Sequence, residues 1–465
     1  MNPDIAAHSA TELVQLYRSG QLSPVDATRA TLERIDADNE RINAYCLIDA
    51  ERALESARAS EKRWHEGRPR GLVDGVPTGI KDLILTRGWP TLRGSRTVDR
   101  EQSWDEDAPV TARLREHGAV LLGKTTTPEF GWKGVTHNAL TGITRNPWDP
   151  DKTPGGSSGG AAAALAAGMG ALQIGTDGGG SIRIPAGFTG VFGHKPSFGR
   201  VPAYPLSPFG TVAHVGPMTR TVTDAALMLT VLAEPDARDW FALPYDGRDY
   251  RIGLNDGIAG LRIAYSPDLG YVEVDPQVGA CVQRAVGVLA DLGAQVEQIT
   301  PPIDDAGQIF RIHWYAGAAT LLRTLSPEQR ELVDPGLQDV AGEGSGFSLH
   351  EYQDSVRQRG ALGQRMRQFM GDWDLLVMPA LPIPAFRAGQ DVPDPDDQER
   401  WADWTPFSYP FNLTQQPACS VPCGFTDSGL PVGLQIVGPM HEDALVLRAA
   451  RAYESMNPIA IPAPA

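Results

Sequence analysis

An α/β fold is predicted by three features of this chain. Short apolar runs alternate with glycine turns and helix-period segments, one stretch reads outright as strand–helix–strand, and 42% of the residues are hydrophobic against 21% charged. The elements follow in order. Ser23-Pro24 is an N-cap with proline at the first helical position, and "VDATRATLERIDADN" continues at helical spacing. A second polar helix is predicted from about 48 to 64, so residues 1–66 form a helical front end. Within 70–235, "VPTGIKDLIL", "GAVLLGK" and "ALQIGTD" read as strands, separated by turns and by helices such as "DAPVTARLREHG". Further on, "LRIAYSP", "DPQVGACVQRAVGVLADLG" and "AQVEQITPP" form a βαβ unit whose helix is capped by Asp275. Residues 301–371 read as helical, "WDLLVMPALPIP" as a buried strand, and "PDPDDQER" as a solvated loop. In 401–465, "ACSVPCGF" and "GLPVGLQIVGP" are two strands joined by "TDSG". Residues 1–465 are read as one domain, with 70–235 its core and 236–400 a variable, substrate-side part.

The formal charge of −16 and a pI near 5.0 argue against nucleic acid or an anionic membrane as partner. Cys46, Cys281, Cys419 and Cys423 are too few for a disulfide framework and lack the neighbours of a zinc site, so they read as reduced thiols with no metal. The start of the chain has no apolar signal core, and "AAAALAAG" is too short to span a bilayer. A cytoplasmic location is expected, and a homodimer is an assembly this reading allows.

Two motif matches are misleading in context. "GAVLLGKT" satisfies the Walker A pattern, yet His117-Gly118 ends a helix and the residues after it are a strand, not a phosphate-wrapping turn. "GGSSG" satisfies the nucleophile-elbow pattern, which would make Ser157 a nucleophile served by His194, His214, His313, His350 or His441. The preceding "RNPWDPDKTP" holds prolines and no strand, so the elbow is missing.

A third pattern fits its surroundings. Lys81 lies in "VPTGIKDLI", Ser157 in "TPGGSSGG" and Ser181 in "GTDGGGSIRIPA". The stretch "TPGGSSGGAAAALAAGMGALQIGTDGGGSIRIPAGFTGVFGHKP" resembles the amidase signature family nearly throughout, with further similarity at "GKTTTPEFG", "VGPMTRTVTDAALML" and "PFNLTQQPACSVPCG". The resemblance covers about 70–235 well and 405–440 moderately. It implies a large mixed, twisted β-sheet with helices on both faces, and a Ser-cisSer-Lys amidase that needs no cofactor. Its substrate would be a small-molecule amide, with aryl amides, esters or carbamates also open to an aryl acylamidase or urethanase of this kind. One position departs from the pattern: Gly178 often holds a bulkier residue in the family, which predicts a more mobile loop here.

The chemistry of these residues is consistent with that implication. Amide hydrolysis needs a nucleophile, a proton for the leaving amine and donors for the oxyanion. The glycines let the N–H groups of Gly178, Gly179, Gly180 and Ser181 converge on one point. Lys81 must be neutral to act as base, which requires its pKa to fall well below about 10.4; burial among Ile80, Leu83, Ile84 and Leu85 supplies the cause. Asp82 faces the other way if the segment is extended. By resemblance Ser181 is the nucleophile, and Ser157, on a cis peptide, passes protons between Ser181 and Lys81. Ser158 is expected to support the network, Asp177 and Arg183 to form a buried structural pair, and Lys195 to fasten a loop. Phe130, Gly131, Trp132, Tyr204, Phe209, Trp314, Phe407, Tyr409 and Phe411 are candidates for the substrate pocket.

Two other functions compete. The glutaminase component of a tRNA-dependent amidotransferase shares the triad, but the family text "YDG-[VI]-R-[YF]-G" of those proteins is absent from "QIFRIHWYAGAATLL". A P-loop-like nucleotide site at Lys124 is the non-enzymatic alternative.

Overall fold

The strand Pro77–Lys81 is buried along its whole length and pairs on both sides with parallel neighbours, Val120–Thr125 and Leu172–Asp177. A strand covered on both faces needs no polar alternation, which is why "PTGIK" shows none. The structure, a computed structural model, describes residues 5–304 and 306–459. Among the described residues these strands belong to one eleven-stranded sheet. Its order is Tyr45–Ile48, Val120–Thr125, Pro77–Lys81, Leu172–Asp177, His214–Thr219, Phe192–Lys195, Ala418–Phe425, Pro431–Val437, Leu375–Pro379, Arg262–Tyr265 and Gln295–Gln298. The sheet is mixed. Pairing is parallel within the second to fourth strands and within the last three, and antiparallel elsewhere.

Helices cover both faces, as successive residues of one strand show. Leu375 and Val377 join a core containing Val282 and Leu447, whereas Leu376 and Met378 join another containing Phe310, Leu337 and Leu362. The βαβ unit closes as expected around the helix Pro276–Asp291, with Asp275 accepting the N–H groups of Gln277 and Val278.

The front end is not purely helical. The helix Pro24–Ile42 stops at Asn43, which takes a left-handed conformation (φ 55°). "YCLI" then runs extended as the edge strand Tyr45–Ile48, and the next helix begins only at Ala50. The signal was weak: four residues between two long amphipathic helices are easily absorbed into either.

Candidate active site

Lys81 is the last residue of Pro77–Lys81, and Thr176 and Asp177 close the parallel strand beside it. The carboxyl ends of parallel strands are where α/β sheets present ligands with reactive groups. Ser157 and Ser158 immediately precede the buried helix Gly159–Ala166, and the Gly156–Ser157 peptide is cis. Ser181 follows the three glycines just before the helix Arg183–Thr189. The Ser158 N–H donates to the Ser181 carbonyl at 3.1 Å, tying the two serine segments together.

Lys81 is 0% exposed and not a surface lysine. Its Nζ lies 2.9 Å from Ser157 Oγ, 2.8 Å from Ser158 Oγ and 2.8 Å from Thr176 Oγ1. No carboxylate among the described residues touches it. Burial therefore carries its pKa well below the ordinary lysine value, with the charge of Asp177 only partly opposing the shift. Asp82 does face away, accepting the N–H groups of Leu92 and Gly94. Thr176 lies within the stretch that carries the family resemblance, but its bond to Lys81 was not among the expected contacts.

Asp177 and Arg183 form a fully buried pair, with two bonds of 2.9 Å. Burial opposes the carboxylate charge, but Arg183 and the added bonds hold its pKa well below the usual range. Arg183 also donates to the Ser408 carbonyl, Gln435 Oε1 and Asn412 Oδ1. Asn412 in turn donates to Asp177, and Ser408 donates to the Gly179 carbonyl at 2.6 Å. The C-terminal part of the chain thus clamps the glycine loop, a role that no local motif at Ser408 or Asn412 announced. Removing the guanidinium would strand a buried carboxylate. Arg183→Met is expected to lower stability by about 3–5 kcal/mol in denaturant titration.

The glycines are required by space as well as by backbone freedom. A Cβ at Gly178 would lie 2.8 Å from Trp314, and one at Gly179 would lie 2.6 Å from Phe310 and 2.7 Å from Trp401. Gly180 has φ +127° and its Cβ would meet Ser408. At Gly178, where the family often has a bulkier residue, the Trp314 ring occupies the space a side chain would take. The expected role of Gly180 is corrected: its N–H is already committed to Asp177 Oδ1 at 2.7 Å. Gly178, Gly179 and Ser181 have N–H groups with no acceptor among the described residues. Gly179→Ala is expected to cost about 10²-fold in kcat, measured at saturating substrate, because the loop must shift away from two rings.

A cavity of about 380 Å³ opens onto Ser157, Thr176, Gly178 and Ser181. Of the expected pocket residues, Phe130, Gly131, Tyr204, Phe209 and Trp314 line it. Phe209 and Trp314 stack at 3.8 Å. Trp132, Phe407 and Tyr409 do not line it. Trp132 packs against Gly336, Phe407 and Phe411 are buried in the core, and Tyr409 stacks on Phe310 beside a different cavity. Leu83, Leu206, Phe198 and Phe241 complete an apolar wall that sequence reading missed.

The other motifs resolve structurally. Lys124 is a buried strand residue whose Nζ bonds the Ile84 carbonyl and the hydroxyls of Thr86 and Thr91, leaving no phosphate loop. Lys195 donates to the Pro196 and Gln416 carbonyls, fastening one segment to another. His214 reaches the cavity wall, but its Nδ1 faces the carbonyls of Val212 and Asp177, and burial keeps the ring neutral.

Reactive side chains gathered at strand ends above an α/β sheet are the architecture of an enzyme. The chain belongs to the amidase family, whose model matches residues 26–447. It is similar to an acylamidase of Rhodococcus erythropolis, 39% identical over 98% of this chain and 97% of the relative. The A component of the glutamyl-tRNA(Gln) amidotransferase of Chloroflexus aurantiacus is 36% identical over 94% of each chain. Among solved structures, a bacterial aryl acylamidase of the amidase signature family superposes with a TM-score of 0.90 at 31% identity, covering 97% of this chain and 96% of that one. The protein is an amidohydrolase of small-molecule amides, acting on carbon–nitrogen bonds other than peptide bonds.

Proposed function

We propose that the protein hydrolyses small acyl amides, aryl amides among them, through an acyl-enzyme on Ser181. The observation that carries this reading is the set of three hydroxyls around a buried lysine that touches no carboxylate among the described residues. Ser158 donates its own proton to the Thr176 carbonyl, so its oxygen accepts from Lys81. A neutral amine has two N–H bonds and one lone pair. With Ser158 and Thr176 taking the N–H bonds, the lone pair is directed at the Ser157 hydroxyl.

The chemistry then follows the relay. Ser181 Oγ attacks the amide carbon as its proton passes to Ser157, whose own proton goes to Lys81. The oxyanion is met by free N–H groups of the glycine loop. Collapse breaks the carbon–nitrogen bond, the relay runs backwards to protonate the leaving amine, and the acyl group stays on Ser181. Water, deprotonated by the same route, adds to the acyl carbon and releases the acid. Nothing in this cycle requires a metal or cofactor, and esters or carbamates would enter it equally.

The apolar cavity and the acylamidase and aryl acylamidase relatives support aromatic amides. The amidotransferase reading is supported by the relatives that are amidotransferase A components, at 34–36% identity. Assaying the protein alone separates them: release of nitroaniline from acyl nitroanilides, with slower release of ammonia from glutamine, is expected. Faster glutamine hydrolysis would reverse the order. The four cysteines, all free, suit the expected reducing cytoplasm.

A further inference from the structure

Arg93 stands in an unusual backbone state for a long side chain. Its φ is +57°, in the left-handed region that favours glycine and asparagine. The cause is local: the buried Asp82 carboxylate gathers the N–H groups of Leu92 and Gly94, both at 3.2 Å, folding the loop around itself. The Arg93 carbonyl then accepts the Phe130 N–H at 2.7 Å. Arg93 is thus built into the cavity wall next to Phe130, and it is held there by the residue that follows Lys81.

Its guanidinium is unmatched. Among the described residues it makes no hydrogen bond or ion pair, although it is only partly exposed and lines the cavity that holds Ser157 and Ser181. The charge of Asp82 acts on it only from beyond bonding distance. The other charged group on that wall, Asp239, is occupied by the N–H groups of Ala203 and Phe241. Asp99, Asp105 and Glu106 line an adjoining cavity that Arg93 and Phe130 also border, and none lies within ion-pair distance of Arg93. The remaining wall is largely apolar, with Leu83, Phe130, Leu206 and Phe209. A planar cation with its donors unpaired, at the edge of an apolar cavity, offers a carboxylate two parallel N–H bonds.

We propose that Arg93 selects amide substrates that carry a carboxylate on the arm reaching this wall. The proposal rests on the acyl-enzyme reading above and deepens it by naming the substrate class. The carboxylate could belong to the acyl arm or to the amine arm, and matched substrates distinguish them. Glutaryl 4-nitroanilide and its methyl ester probe the acyl arm; butyryl anilides bearing a 4-carboxylate or a 4-carboxamide probe the amine arm.

The native enzyme is expected to prefer the carboxylate member of one pair by about 10–100-fold in kcat/KM, mainly through KM, as suits a charge-assisted bidentate contact. Arg93→Asn, whose side chain tolerates the left-handed backbone, should reduce that preference at least tenfold. Arg93→Lys should retain part of it. A native enzyme with no preference for the carboxylate in either pair would overturn the proposal. So would an Arg93→Asn enzyme that loses stability but keeps its charge preference, since the arginine would then serve the adjoining acidic cavity. Hydrolysis of none of the four would overturn the acyl-enzyme reading as well, whereas hydrolysis of all four without charge preference overturns this proposal alone.

Discussion

Ser181→Ala is expected to lower kcat/KM on an acyl anilide by about 10⁴-fold or more, with the thermal transition unchanged within about 2 °C. The size follows from the role. Without its oxygen no acyl-enzyme forms, and only binding and the loop N–H groups remain to assist water. Stability should hold because Ser181 Oγ makes no hydrogen bond to the other described residues, while the Ser158 N–H still reaches the residue's carbonyl. Ser157→Ala breaks the relay but keeps the nucleophile, so a smaller loss is expected. Equal activity of the native and Ser181→Ala enzymes would remove the nucleophile from the account.

The second large effect belongs to Lys81. Replacement by arginine puts a permanent cation, which cannot give up its proton, where the neutral amine stood, and a loss of about 10²–10⁴-fold is expected. In the native enzyme kcat/KM should rise with pH through an inflection well below about 10.4 and then level off, because the amine must be neutral before attack. Stability carries the same signature with a definite sign. The folded pKa is depressed, so between that value and about 10.4 the unfolded chain binds more protons, and stability rises with pH across this window. Below the folded value the desolvation penalty is fully present. Lys81→Met should remove it, raising stability at neutral pH and flattening this part of the pH dependence while abolishing turnover. Near-normal turnover of Lys81→Arg at neutral pH would make Lys81 a structural support.

The contrast between what was readable and what was not has a physical origin. Lys81, Ser157, Ser158, Asp177, Ser181 and Arg183 lie in short segments whose glycines and apolar neighbours restrict what the backbone can do, so local text reveals their setting. The alternating apolar runs likewise revealed most strands, because burial imposes its pattern residue by residue. Partners that arrive from afar left no such trace. Ser408 and Asn412 grip the glycine loop across more than two hundred residues of sequence, and although Asn412 lies in a family-like stretch, its local pattern does not say which distant loop it meets. The commitment of the Gly180 N–H to Asp177 is a matter of a turn's geometry, not of composition. Which aromatics face the cavity depends on how distant helices settle: Trp314 reaches over Gly178, while Phe407 is equally aromatic and wholly enclosed. The edge strand Tyr45–Ile48 was concealed by the helices on either side.

Whether Ser181 carries the acyl group is decided by locating a covalent adduct. The protein is treated with an activated fluorophosphonate, digested, and the modified residue is identified by tandem mass spectrometry. A single phosphonyl group on Ser181 is expected, with slower labelling in Ser157→Ala and Lys81→Arg and none in Ser181→Ala. An adduct on Ser157, or labelling that persists undiminished in Ser181→Ala, would contradict that role for Ser181.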